Sequence, residues 1–159
     1  MILIKIIFDD TWHYWYGLII GVGLGGPMNR KLLVVEDQIE VVDSIIEGAY
    51  NGHMECSIDT TGEHCIKRAH EMHPDLIFLD MEIAGGKGFK LLKEIKDDEA
   101  LNKIPIIFLS REENGHQVFD KIGRVGADGF VVNNENIGEF LNMVDEYLPE
   151  NGGFQKLVH

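Results

Sequence analysis

The feature that most constrains the fold of this chain is a regular alternation of short apolar runs with amphipathic stretches from about Met28 to Leu148. Several of the apolar runs are almost free of polar residues, which is typical of strands buried on both faces of a parallel sheet. We predict five strands, at Leu32–Val35, Met54–Ile58, Leu76–Leu79, Ile104–Leu109 and Gly129–Val132.

The stretches between these runs repeat apolar residues at three- and four-residue intervals, which is the period of an amphipathic helix. They predict helices around residues 41–46, 66–72, 91–95, 118–125 and 137–148. Strands and helices that alternate in this way form right-handed crossovers. We therefore predict an α/β, flavodoxin-like, doubly wound fold, with a five-stranded parallel sheet of order 2-1-3-4-5 and helices on both faces.

The alternation divides the chain into a leader of unknown role at residues 1–27, a folded domain at 28–149 and a C-terminal tail at 150–159. The leader starts with a strand-like segment and ends in a glycine-rich run. It is too short and too rich in glycine for a membrane-spanning helix, and acids interrupt it where a signal peptide would be apolar. Three alternatives stay open: an added leader, an upstream mis-assigned start with Met28 as the true one, or a segment that binds a membrane or a partner.

The charge balance excludes some classes of partner. The chain has 14 Lys plus Arg against 27 Asp plus Glu, a formal net charge of −13. Such a chain repels nucleic acid and anionic membranes, so we expect neither as a partner. Its two cysteines, Cys56 and Cys65, are too few for a disulfide framework and are expected to be buried free thiols in a reducing cytoplasm.

Acidic residues follow two of the predicted strands, where an open parallel sheet places its ligand site. Glu36 and Asp37 come after the first strand, and Asp80 ends the third. Three converging carboxylates repel one another unless a cation lies between them, and Mg²⁺ is the natural choice. One carboxylate could then attack a phosphoryl group as a nucleophile, and Ser110 could donate a hydrogen bond to a phosphoryl oxygen.

Four sequence blocks, at residues 31–37, 75–80, 104–110 and 126–132, make this pattern more specific. In order and spacing they resemble the motif blocks of the CheY-like receiver domains of two-component response regulators. Gly88, eight residues after Asp80, resembles the family's glycine at the start of the third helix. The resemblance covers about residues 28–149.

The resemblance implies a role for each site residue. It implies Mg²⁺ as the cofactor, a histidine kinase or histidine phosphotransfer protein upstream and a protein target downstream. The implied residues are Asp80 as the phosphoacceptor, Asp37 as a direct metal ligand, Glu36 as an outer metal partner, the backbone carbonyl of Glu82 as another ligand, and Ser110 and Phe130 as the switch hydroxyl and aromatic.

The sequence departs from the family pattern at three positions. Asn133, followed by Asn134, stands where the family has lysine and proline, so the charge that normally contacts the phosphoryl group is missing. Arg111 either points into solvent or supplies that charge. Ala84 replaces the usual proline in the loop after Asp80, which is expected to loosen that loop.

Two functions from different classes remain. The first is a phosphoacceptor receiver domain that signals through protein contact and catalyses no more than its own phosphotransfer and dephosphorylation. The second is a pseudo-receiver, a protein-interaction domain that does not depend on phosphorylation. Asn133 favours the second, and the intact acids with Ser110 favour the first. A third hypothesis, an independent enzyme such as a small haloacid-type phosphatase, is disfavoured because the Asp-x-Asp spacing after the first strand is missing.

Overall fold

All five predicted strands are present and pair in parallel. The computed structural model describes residues 4–8, 11–15, 30–51, 54–110, 126–132, 144–145 and 148. The predicted helices at 118–125 and at most of 137–148, and the tail at 150–159, lie outside these ranges. The described elements are β1 (Ile4–Phe8), β2 (Thr11–Trp15), β3 (Arg30–Val35), α1 (Ile39–Asn51), β4 (Met54–Asp59), α2 (Cys65–Met72), β5 (Leu76–Asp80), α3 (Ile83–Gly86), α4 (Gly88–Asp97), β6 (Ile106–Ser110) and β7 (Gly129–Val132).

The main sheet has five strands in the order β4-β3-β5-β6-β7. Counted from β3, this is the predicted order 2-1-3-4-5, so the flavodoxin-like topology is confirmed. The parallel register pairs Val35 of β3 with Leu79 of β5, and Asp80 of β5 with Leu109 of β6. The carboxyl ends of β3, β5 and β6 therefore lie side by side at one edge of the sheet.

Helices cover both faces of the sheet. Successive side chains of each buried strand point to opposite faces, so both faces are apolar and each packs against helices. Leu32 and Val34 face one core layer, which contains the apolar side of α1 and also Leu148. Leu33 and Val35 face the other layer, which contains the apolar sides of α2 and α4. The near-continuous apolar runs of the sequence follow from this burial on two sides.

The fourth predicted strand begins later than expected. We predicted Ile104–Leu109, whereas β6 spans Ile106–Ser110. Pro105 has no N–H to donate, so it joins the sheet only through its carbonyl, which accepts from the N–H of Ile77 at 3.0 Å. The apolar run at 104–105 therefore belongs to the preceding turn.

The N-terminal segment contains a strand pair that the alternation does not include. β1 and β2 are antiparallel, with Phe8 opposite Thr11 and Ile4 opposite Trp15. The first strand of the pair agrees with the strand-like character of Met1–Phe8, but the second was not predicted. The backbone of β1 lies alongside β4, the edge strand of the main sheet. Among the described residues, no helix has the length and apolar character needed to cross a membrane.

Candidate functional site

The three predicted acids converge at the carboxyl edge of the sheet. Glu36, Asp37 and Asp80 each place a carboxylate oxygen within 4.8 Å of the others. They come together because β3 and β5 are adjacent parallel strands that end at the same level. The expected convergence is therefore present.

The three carboxylates differ in burial and in hydrogen bonding. Glu36 is 0% exposed, and its Oε1 accepts from the N–H of Gln38 at 2.9 Å. Asp80 is 1% exposed, and its Oδ1 accepts from the N–H of Glu82 at 2.9 Å. Asp37 is exposed. The site thus has two buried acids oriented by backbone N–H groups and a third acid at its mouth.

The acids fit a hard divalent cation. Carboxylate oxygens are the ligands that Mg²⁺ prefers, and it commonly takes only a few of them and keeps its remaining positions for water and phosphoryl oxygens. A site with two buried acids and one exposed acid suits that mixed coordination. A cation there would offset the repulsion among three carboxylates in a small volume.

The Glu82 carbonyl, expected to be another ligand, is engaged elsewhere in this structure. Its oxygen accepts from the N–H groups of Gly85 and Gly86, both at 3.0 Å. These bonds close the short turn α3, in which Ala84 has φ 49° and ψ 40°. In this conformation the carbonyl oxygen serves the turn.

Gly88 fixes the start of α4 directly against the end of β5, the strand that carries Asp80. A Cβ at this position would lie 2.4 Å from the backbone oxygen of Asp80 and 2.7 Å from the Cα of Met81. Both contacts are far shorter than atoms allow, and both involve backbone, which cannot swing away. Only glycine lets α4 begin this close to the site.

The remaining predicted site residues lie on the two strands beyond β5 or outside the described residues. Ser110 is buried at the end of β6, next to the strand that carries Asp80. Phe130 of β7 is half-buried, stands opposite Phe108 and packs in the layer that contains α2 and α4. Arg111 and Asn133 fall outside the described residues, so their proposed roles stay predictions.

A buried carboxylate that the sequence analysis missed supports the neighbouring loop. Asp59 ends β4 and is 2% exposed. Its Oδ1 accepts from the N–H and Oγ1 of Thr61 and from the N–H of Gly62, at 2.9–3.0 Å, and its Oδ2 accepts from the N–H of His64 at 2.9 Å. The signal was present, since an Asp before a Thr-Gly turn and an amphipathic stretch is typical of a helix start.

The sequence matches the model of the response regulator receiver domain over residues 32–145. The chain is 26% identical to the polar-differentiation response regulator DivK of Brucella ovis, over 77% of this chain and 99% of DivK. Its fold is similar to that of the chemotaxis response regulator CheY4 of Vibrio cholerae (TM-score 0.67, 22% identity, 73% of this chain and 96% of CheY4). It is also similar to the Mn²⁺-bound form of response regulator Rcp1 (TM-score 0.64, 20% identity, 79% and 99%).

The family match covers most of the chain, and its limits enclose the sheet except for the first two residues of β3, together with the acidic cluster and the strand ends that surround it. The five-stranded topology agrees with it independently. The chain therefore belongs to the response regulator receiver domain family.

Proposed function

We propose that this receiver domain accepts a phosphoryl group on Asp80, with Mg²⁺ held by Asp37, Asp80 and the more distant Glu36. The observation that carries the proposal is the cluster of three carboxylates within 4.8 Å at the carboxyl edge of the sheet. The bound cation would neutralise charge on the transferring phosphoryl oxygens. The Mn²⁺-bound form of Rcp1 is consistent with a divalent cation in a fold of this kind.

In the transfer, an oxygen of Asp80 attacks phosphorus and forms the O–P bond of an acyl phosphate while the bond from phosphorus to the donor breaks. The N–H of Glu82, bonded to Oδ1 at 2.9 Å, holds the Asp80 carboxylate in place for this attack. Ser110, buried at the end of the next strand, would donate its hydroxyl hydrogen to a phosphoryl oxygen. Phe130 would then change rotamer as the neighbouring surface adjusts.

The donor is proposed to be a histidine kinase or a histidine phosphotransfer protein, and the output a contact with a protein target. The net charge of −13 disfavours nucleic acid and anionic membranes as direct partners. A cytoplasmic location is proposed as well, and the free, buried thiols of Cys56 and Cys65 support it.

The test is incubation of the purified chain with acetyl phosphate and Mg²⁺, followed by intact mass measurement. We expect a mass increase of one phosphoryl group, lost in Asp80→Asn and on chelation of the metal. Ser110→Ala should still be labelled, but more slowly. A folded chain that takes no label, or Asp80→Asn that is labelled as well as the parent, would contradict the proposal and favour the pseudo-receiver.

The missing lysine gives the proposal a second test. Without a cation at Asn133, an electrostatic contact to the phosphoryl group is absent, and loss of such a contact slows other enzymes ~100-fold or more. We expect Asn133→Lys to accelerate labelling of Asp80. An unchanged rate would mean either that Arg111 already supplies the charge or that the domain does not depend on phosphorylation. The double substitution Asn133→Lys with Arg111→Ala separates these two explanations, because only a compensating Arg111 makes the two substitutions strongly non-additive.

A further inference from the structure

The turn that follows Asp80 holds the backbone carbonyl of Glu82 in hydrogen bonds, although this carbonyl could otherwise be a ligand of a cation in the acidic site. The Glu82 oxygen accepts from the N–H groups of Gly85 and Gly86, each at 3.0 Å. A carbonyl oxygen has two lone pairs, so two such bonds use its ordinary acceptor capacity. In this conformation the oxygen has none left for a cation, and at least one of the bonds must break before it becomes a ligand.

The turn is closed in a conformation that one of its residues disfavours. Ala84 lies in the left-handed region at φ 49°, and the next residue, Gly85, has φ 78°. Glycine adopts a positive φ without penalty, whereas the Cβ of alanine crowds the following carbonyl there. The closed turn is therefore poised against an alternative in which Ala84 takes an ordinary negative φ.

The surroundings allow the turn to change without disturbing the core. Gly85 and Gly86 are exposed, and among the described residues beyond the turn itself none has an atom within 4 Å of where a Cβ would stand at either one. The side chain of Ile83 is fully buried, and Gly88 is fixed against Asp80. Rotation of the peptide units between Glu82 and Gly86, which also changes φ at Ala84 and Gly85, would redirect the carbonyl while both anchors stay in place.

We propose that the turn from Glu82 to Gly86 is a gate on the cation site. When the turn is closed, the Glu82 carbonyl is bonded to Gly85 and Gly86; when it is open, the same oxygen is a cation ligand. The inference rests on the Mg²⁺ site of the proposed function. Because only the open turn offers the full ligand set, the observed affinity equals the intrinsic affinity scaled by the open fraction.

Two substitutions of one methyl group each shift the gate in opposite directions. Ala84→Gly relieves the closed turn and should weaken Mg²⁺ binding by about five-fold, whereas Gly85→Ala crowds it and should strengthen binding by about five-fold. Both positions are exposed, so each variant should fold, and thermal unfolding checks this. Isothermal titration of MgCl₂ into the full chain gives the three dissociation constants.

The amide groups of Gly85 and Gly86 give a readout that does not depend on activity. Their hydrogen exchange, followed by NMR, should be slow without Mg²⁺ and faster at saturation. In Asp37→Ala, which should lose the cation, the same Mg²⁺ concentration should leave exchange slow.

Four results would each overturn the gate and leave the cation site standing. They are equal Mg²⁺ affinities in the three proteins, a shift of affinity in only one variant, two shifts of the same sign, and hydrogen exchange that Mg²⁺ does not affect. A parent chain that binds no Mg²⁺ would overturn both. A chain that binds Mg²⁺ and shows the opposed shifts, but takes no phosphoryl group from acetyl phosphate, would overturn only the proposed phosphorylation.

Discussion

Asp59 illustrates how one buried carboxylate organises the loop between a strand and a helix. It accepts four hydrogen bonds, three of them from backbone N–H groups of the loop that leads into α2. We expect Asp59→Ala to lower the free energy of unfolding by about 2–3 kcal/mol, because it leaves the buried N–H of Gly62 and the part-buried donors of Thr61 and His64 without their acceptor. Chemical denaturation measures this change.

Two further variants separate these contributions. Asp59→Asn keeps one acceptor oxygen and should lose roughly 1 kcal/mol through the His64 N–H. Asp75→Ala is the matched control, because Asp75 is exposed and its carboxylate accepts a single bond within the described part of the chain, from the N–H of Lys31 at 2.8 Å. A loss in Asp75→Ala as large as that in Asp59→Ala would contradict the interpretation.

The two buried thiols, Cys56 and Cys65, lead us to expect that the free energy of unfolding falls at alkaline pH. Burial raises the pKa of Cys56 to about 12, and burial together with Asp59 and Glu94 raises the pKa of Cys65 to about 12, both from an ordinary value of 9.0. Since the folded-state pKa lies above the unfolded one, the stabilisation is complete below pH 9 and is lost as the pH rises towards 12.

The measurement is the free energy of unfolding in urea at increasing pH. We expect the free energy of unfolding to fall above pH 9 in the parent. It should fall less steeply when both cysteines are replaced by alanine, so the difference between the two slopes is the contribution of the thiols, and the remaining slope is that of other titrating groups. In the folded protein both thiols should also resist alkylation at neutral pH, since the thiolate is the reactive form. Equal slopes for parent and double variant would count against this account.

At the level of elements, the sequence predicts the parallel sheet well because its signals are local. The run at Leu76–Leu79 is apolar throughout, and the strand buried on both faces follows directly. The convergence of Asp37 with Asp80 was predictable for the same reason, since parallel strands end at a common edge. The start of β6 was misplaced because Pro105 extends an apolar run without donating to the sheet.

Other features could not be predicted because they depend on dihedral angles or on distant contacts. The left-handed conformation of Ala84 is unusual for a residue with a Cβ, and the acceptor bonds of the Glu82 carbonyl follow from it. Similarly, the strand Thr11–Trp15 was not predicted, and it is recognisable only through its pairing with β1. Neither outcome has a periodic signature in the sequence.

The N-terminal hairpin leads to a prediction about truncation. The described residues of both core layers and all five strands of the main sheet lie between Arg30 and Leu148, so a chain that starts at Met28 should unfold cooperatively and stay monomeric. The structure adds a specific risk, because removing β1 uncovers the edge of β4. Urea unfolding and light scattering test both points. Loss of cooperative unfolding would show that the leader stabilises the core. Self-association would show that the leader protects the edge of β4.

For the whole molecule, the acidic cluster links cation binding to stability. A ligand that binds only the folded state raises the free energy of unfolding, by about 2.7 kcal/mol at a concentration of 100 times Kd. We expect Mg²⁺ to raise the melting temperature of the parent and to leave that of Asp37→Ala unchanged. Without Mg²⁺, Asp37→Ala should be at least as stable as the parent, because it relieves repulsion around Asp80.

Ionic strength is the control for this experiment, so NaCl of matched ionic strength replaces MgCl₂ in a parallel series. An equal rise in melting temperature in NaCl, or in Asp37→Ala with Mg²⁺, would show that general charge screening accounts for the effect. With a net charge of −13, some screening is expected in all samples, so the difference between parent and variant carries the conclusion.

The first strand of the main sheet is bonded to the last described residues of the chain. The Nη1 of Arg30 donates to Oδ1 of Asp145 at 2.6 Å and to the carbonyl oxygen of Leu148 at 3.3 Å. The start of the main sheet and the last described residues therefore lie within reach of one arginine side chain. A unit of this shape can be spliced into a surface loop of a host protein as a cassette, with both junctions a short linker apart and the host's own fold undisturbed.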